Sequence, residues 1–255
     1  MVTSSIFDLI GLGAIAGLFP VYLGIIVALV VRKMVPRAVE GFLIGLATGV
    51  LIYLFFDLMH EAVELTGARD PLSWVVLLGS LFASFVGVVA LEQSQMRSSR
   101  TLGAFLSLPY MIAIGMGLHN LGEGLAIGAS YAHGEWVLSA LLVMGFALHN
   151  GTEGFGIVGA AGQHQLSGKD IAALGVIAGA PTCLGAILSG QDLPPSFTVA
   201  FYALAAGSLL YVITALVAMY YTATRRLQVA LGVFFGISLM YITAMVLALI
   251  SGIRS

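Results

Sequence analysis

Eight stretches of this chain, each about 20 or more residues long and poor in charge, are long enough to cross a lipid bilayer. They run approximately over residues 6–31, 40–62, 72–91, 104–131, 136–161, 170–189, 196–221 and 228–252. Within hydrocarbon every backbone N–H and C=O must find its partner inside the protein, so only helices and closed barrels span a membrane. The alternating ten-residue segments of a barrel are missing, which leaves helices. Composition agrees. Of 255 residues 60% are hydrophobic and 9% charged, against about 25% charged in a soluble domain, and mean hydropathy is +1.05. The expected fold is all-α, a polytopic membrane protein of eight transmembrane helices, with residues 1–255 forming a single transmembrane domain. Met1 to Ser5 carries no basic segment and no cleavage signal, so no removable leader is expected. The 32 glycines lie mostly within the spans, where small residues let helices approach closely. Cys183 is the single cysteine and cannot form an intrachain disulfide. The lipid bilayer is an expected partner. The net charge of -2 says nothing about nucleic acid, and no nucleic-acid partner is expected.

Basic residues set the orientation. Loops after odd-numbered spans hold Arg32, Lys33, Arg37, Arg97, Arg100, Lys169, Arg225 and Arg226, whereas the other side holds Arg69 and Arg254. The first group is expected in the cytoplasm. This predicts a multi-pass protein of the cell membrane with both termini outside the cytoplasm. Spans 2 and 7 share the pattern LAxGxLxY, at Leu46–Tyr53 and Leu204–Tyr211. These spans run in opposite directions, so the match suggests an inverted repeat.

Charges at mid-membrane are costly, about 2.5–3.5 kcal/mol each on insertion scales, and call for a reason. Span 4 carries His119-Asn120-Leu121-Gly122-Glu123-Gly124, and span 5 carries His149-Asn150-Gly151-Thr152-Glu153-Gly154. The pattern HNxxEG thus occurs twice, each copy near the middle of its span. His and Glu at i and i+4 share one helix face, and Asn borders it. A short connection near Ala132–Glu135 makes the two spans antiparallel neighbours, so that their faces can close on one pocket. One such His would be explained by helix packing. Two copies at the same depth point to a metal site, with His119, Asn120, Glu123, His149, Asn150 and Glu153 as candidate ligands. Imidazole and carboxylate suit a borderline divalent ion: Zn2+ first, then Cd2+, Fe2+ or Mn2+. The ion is expected as substrate, with no cofactor. Asp57, His60, Glu61 and Glu64 lie at the outer end of span 2. Asp57, expected to be the most buried of them, is the candidate ion entrance.

At these residues the chain resembles the ZIP (Zrt/Irt-like protein) family of divalent metal transporters. The resemblance covers nearly the whole chain and is strongest from Leu118 to Gly159. It implies eight helices with an inverted repeat around helices 4 and 5, an ion path along those two helices, flux towards the cytoplasm, a homodimer, and Glu123 with Glu153 as a bridging pair. Three features depart from the family pattern. Gly122 and Thr152 stand where the family usually has proline, although Thr152 can still bond back to its own helix. Ala180 stands before Pro181 where many members carry Glu. No carboxylate follows Tyr211 in span 7. One well-formed ion site, or a second weak one beside it, is therefore expected in a divergent member.

The expected function is metal transport. The alternative from another class is an intramembrane zinc-dependent hydrolase, in which one Glu serves as general base to a zinc-bound water. The near-symmetric motif argues against it, as does the lack of an HExxH segment. Orientation is directly testable in a Cys183→Ser background. A membrane-impermeant maleimide should label His133→Cys in intact cells and Gln165→Cys only after permeabilisation. The opposite labelling would reverse the topology.

Overall fold

A computed structural model describes residues 5–66, 70–98, 104–162, 164–189, 194–222 and 224–251. Arg69, Arg100 and Arg254, used above to orient the chain, lie outside these residues. Among the described residues the chain forms eight long helices: α1 (Ile6–Met34), α2 (Arg37–Leu65), α3 (Pro71–Ser98), α4 (Ala104–Ala132), α5 (Trp136–Ala160), α6 (Gly168–Ser189), α7 (Pro195–Tyr220) and α8 (Arg226–Ser251). Six of them, all but α4 and α5, are apolar and long enough to cross a membrane by length and composition. The two exceptions carry the HNxxEG segments, whose polar residues lower their hydropathy. Large apolar side chains such as Phe7, Leu72, Phe82, Leu227 and Leu249 are exposed. Water would not tolerate so much exposed apolar surface on a monomer, but lipid does. The protein is a multi-pass membrane protein.

Local signals explain the helix starts. The Ser5 hydroxyl caps α1, accepting from the Phe7 N–H at 3.3 Å. Asp70 caps α3 by accepting from the Leu72 N–H at 3.1 Å. Ser167 and Asp170 form a reciprocal capping box at α6. The α4–α5 turn closes at Gly134, whose φ of 76° favours glycine, and the Glu135 N–H reaches back to the Ser130 carbonyl at 2.9 Å. Two details differ from expectation. Helix α3 continues to Ser98, past the expected end of span 3 near residue 91. Helix α1 contains one π turn, Ala14–Leu18.

Helices α4 and α5 lie innermost. Helix α4 packs against α6 and α7, and α5 packs against α1 and α2. Helix α2 also packs on α8, α7 on α3, and α2 and α7 on each other. Close approach depends on glycine. A Cβ on Gly154 would overlap the backbone of Gly24 and Ile25, and one on Gly24 would overlap the Gly151 carbonyl. On the other side, a Cβ on Gly124 would overlap the Thr182 carbonyl, and one on Gly185 the Leu121 carbonyl. The last glycine of each HNxxEG segment thus has a packing reason. It lets α1 or α6 lie directly on the helix that carries the polar groups.

Gly154→Ala should therefore destabilise the protein by about 2 kcal/mol, since backbone must move to admit the methyl. That corresponds to a melting temperature roughly 4–8 °C lower in detergent. Gly79→Ala, where a Cβ meets nothing within 4 Å, should change it by less than about 2 °C. Equal melting of both variants would refute the packing argument.

Candidate metal centre

The tight turn at Gly134 fixes the geometry of the centre. His119 lies 15 residues before Gly134 and His149 lies 15 after it, so the two imidazoles meet at the same depth. Their ring centroids are 6.2 Å apart. Because α4 and α5 run in opposite directions, the two glutamates fall on opposite sides of that level. Glu123 lies one turn towards Gly134 and Glu153 one turn away. Eight residues of combined offset amount to about 12 Å along the helix axis.

The structure brings His119, Glu123 and His149 into one fully buried group, with ligand atoms within 4.8 Å of one another. Glu123 Oε1 lies 3.0 Å from His119 Nε2, though not aligned as a hydrogen bond, and in closer contact with His149 Nε2. Its other oxygen, Oε2, accepts from the Asn150 amide at 2.7 Å. Around a zinc ion with bonds near 2.1 Å, tetrahedral ligand atoms stand about 3.4 Å apart. The three side chains need only small shifts to reach that spacing. Glu153 stands outside this group. Its Oε2 accepts from the Asn120 amide at 2.9 Å, and its Oε1 has no hydrogen-bond partner among the described residues. Glu153, expected to bridge with Glu123, is thus not among the three side chains whose ligand atoms converge.

Each asparagine makes a crossed tie. Asn150 of α5 holds Glu123 of α4 and also donates to the Ala16 carbonyl of α1 at 3.0 Å. Asn120 of α4 holds Glu153 of α5 and also donates to the Ala178 carbonyl of α6 at 3.0 Å. The amide nitrogens face the carboxylates, and both amide oxygens lack partners among the described residues. Proline explains one available carbonyl. Pro20 has no N–H to offer the carbonyl four residues back, which belongs to Ala16. On α6 the Ala178 carbonyl lies three residues before Pro181. Thr152 bonds back to the His149 carbonyl at 2.7 Å, as its position predicts.

The buried Glu123 carboxylate is roughly balanced in energy, and ligand atoms are left over around it. Stripping water from a carboxylate costs several kcal/mol. Hydrogen bonds to a charged group return about 1.5–3 kcal/mol each, so the few contacts of Glu123 roughly offset the cost. Unsatisfied capacity remains at His119 Nδ1, His149 Nδ1 and Glu153 Oε1.

A cavity of about 360 Å³ reaches His119 and Glu123, and it is also lined by Asp57, Glu61, His133, Glu135 and Tyr202. A second, of about 310 Å³, joins Asp57 and Tyr53 to His149. Asp57, the expected ion entrance, is exposed like the rest of its cluster, and it lines both cavities. Towards the other end of the bundle Ile112, Met116, Ile157, Leu216 and Tyr220 are buried. The sequence alone gives no role to Glu135 or to the Ala16 carbonyl. His133 and Glu135 sit in the turn, and only the depth of the cavity connects them to Glu123. The Ala16 carbonyl is signalled in the sequence only by Pro20.

No family model matches the chain. A protein of Arabidopsis thaliana named "Putative zinc transporter" is 27% identical over 147 residues, 56% of this chain and 23% of that relative. The match thus takes in under a quarter of the relative's length.

The crossed ties assign Asn150 a positioning role towards Glu123. Asn150→Ala should weaken zinc binding to the purified protein about tenfold or more by calorimetry, the cost of losing a group that orients a ligand. Thr152→Ala, whose hydroxyl bonds only its own helix, should stay within about twofold. Unchanged affinity in Asn150→Ala would remove that role.

Proposed function

We propose that this protein carries a divalent metal ion, zinc first, across the membrane towards the cytoplasm. The observation that carries the reading is the buried His119–Glu123–His149 group at the end of a cavity opening beside the α4–α5 turn. Buried imidazole and carboxylate with converging lone pairs suit a borderline cation. The distant relative, named for zinc transport, supports the same reading. Cd2+, Fe2+ and Mn2+ fit the donor set as competing substrates.

In this proposal the ion passes Asp57 and Glu61, binds between His119, Glu123 and His149, and is then passed to Glu153 on the inward side. Asn120 and Asn150 position the two carboxylates. The cytoplasmic direction rests on the basic residues clustered at the end of the bundle opposite the α4–α5 turn. The buried side chains beyond Glu153 act as the closed inner gate, and α1 and α6, tied to the site through Ala16 and Ala178, are placed to move with it.

The proposed architecture is eight spans in one transmembrane domain with an inverted repeat, as in the ZIP family. Three paired features support it. Exchanging α1 with α6, α2 with α7, α3 with α8 and α4 with α5 maps the main helix contacts onto one another. Gly49 of α2 meets the Val233 carbonyl of α8, as Gly207 of α7 meets the Leu81 carbonyl of α3. Gly24 and Gly185 each meet the carbonyl that follows the asparagine of an HNxxEG segment. With Ala180 before Pro181 and no carboxylate after Tyr211, one ion at a time is the proposed stoichiometry.

The two glutamates separate binding from passage. In sealed proteoliposomes Glu123→Ala should lose both zinc binding and zinc uptake, each by at least tenfold. Glu153→Ala should keep binding within about threefold, yet lose uptake by at least tenfold. Wild-type uptake in either variant would overturn the proposal. So would zinc-dependent hydrolysis by a protein that moves no ion.

A further inference from the structure

A separate cavity lies at the basic end of the bundle, with a volume of about 370 Å³. Its mouth carries Arg32 and Lys33 from the end of α1, with His164 and Gln165 from the segment before α6. Its wall is apolar: Leu29, Leu166 and Ile171. Among the described residues no carboxylate lies within ion-pair distance of Arg32 or Lys33, and no acidic side chain lines the cavity. Two cations thus share one concave site. The α1 surface beside it continues into lipid-type exposure, with Val30 51% and Met34 77% exposed.

We propose that this cavity binds the phosphate headgroup of an anionic phospholipid from the inner leaflet. A guanidinium binds phosphate oxygens as a two-pronged donor, and the neighbouring ammonium adds point charge. Basic pockets between membrane helices on this side suit such headgroups. The apolar wall and the exposed α1 flank favour a lipid over a free phosphate ion, because an acyl chain can lie along Val30 and Met34 while its phosphate enters the mouth. A zwitterionic headgroup leaves the two cations only partly neutralised and binds more weakly. The bound lipid would link α1 to the segment preceding α6, the two helices that hold the asparagine ties. The site is independent of the transport reading, since it uses none of those residues.

The test is thermal stability of the full chain in nanodiscs of phosphatidylcholine alone or with phosphatidylglycerol. Phosphatidylglycerol should raise the wild-type melting temperature by about 3 °C or more, the effect of a ligand held by the folded state. Lys33→Gln should lose about half of that shift and Arg32→Gln/Lys33→Gln nearly all of it. Arg226→Gln, a basic residue outside the cavity, should keep it. Melting of each variant in phosphatidylcholine alone checks that it is folded, and Lys33→Gln decides the outcome if the double variant is not. A full shift in the folded double variant, or in Lys33→Gln, would overturn the proposal. An equal loss in Arg226→Gln would do so too, by showing diffuse surface charge. A shift reproduced by inorganic phosphate alone would overturn the lipid assignment.

Discussion

Between the imidazoles of His119 and His149, the Glu123 carboxylate is buried at the end of a cavity and within 3.0 Å of the His119 nitrogen. Much of the surrounding architecture makes that position tolerable. A lone carboxylate in a bundle of this kind would be expelled or neutralised. Two helices bring nitrogen to it, a third residue supplies an amide, and that amide is itself anchored to a backbone carbonyl of α1. The site therefore reaches beyond α4 and α5, and α1 and α6 belong to it through their carbonyls.

Close packing makes those ties possible. Hydrogen bonds from Asn150 to Ala16 and from Asn120 to Ala178 require helix axes closer than ordinary side chains allow. Glycine supplies that approach at Gly24, Gly124, Gly154 and Gly185. Each HNxxEG segment thus combines a polar face with the glycine that admits the next helix. The same arrangement couples the support of each carboxylate to helix position. Any shift of α1 or α6 alters the support of a carboxylate, which is the coupling a carrier needs between occupancy and access.

Direction of travel along the chain is as important as composition. The two segments match in sequence, and that alone gives no reason to treat Glu123 and Glu153 differently. In the folded protein they differ because their helices are antiparallel. Glu123 faces the cavity lined by Asp57, Glu61, His133 and Glu135, whereas Glu153 lies beyond the imidazoles, held by Asn120. A repeated motif thus produces two inequivalent carboxylates in series, which suits movement of an ion more than a static cage.

The amino-acid sequence by itself determined the helices, their membrane character and the candidate residues of the centre, because apolar runs and a repeated i, i+4 pattern are local properties of the chain. It also signalled the short connection near Ala132–Glu135 and the back-bond of Thr152, each of which spans only a few residues. Only the tertiary structure decided which ligands converge, that Asp57 lines two cavities, that α3 runs on to Ser98, and which carbonyls hold the asparagines. Those outcomes depend on contacts between residues as distant as Ala16 and Asn150. Such contacts are set by how whole helices pack against one another, and no local spacing encodes them.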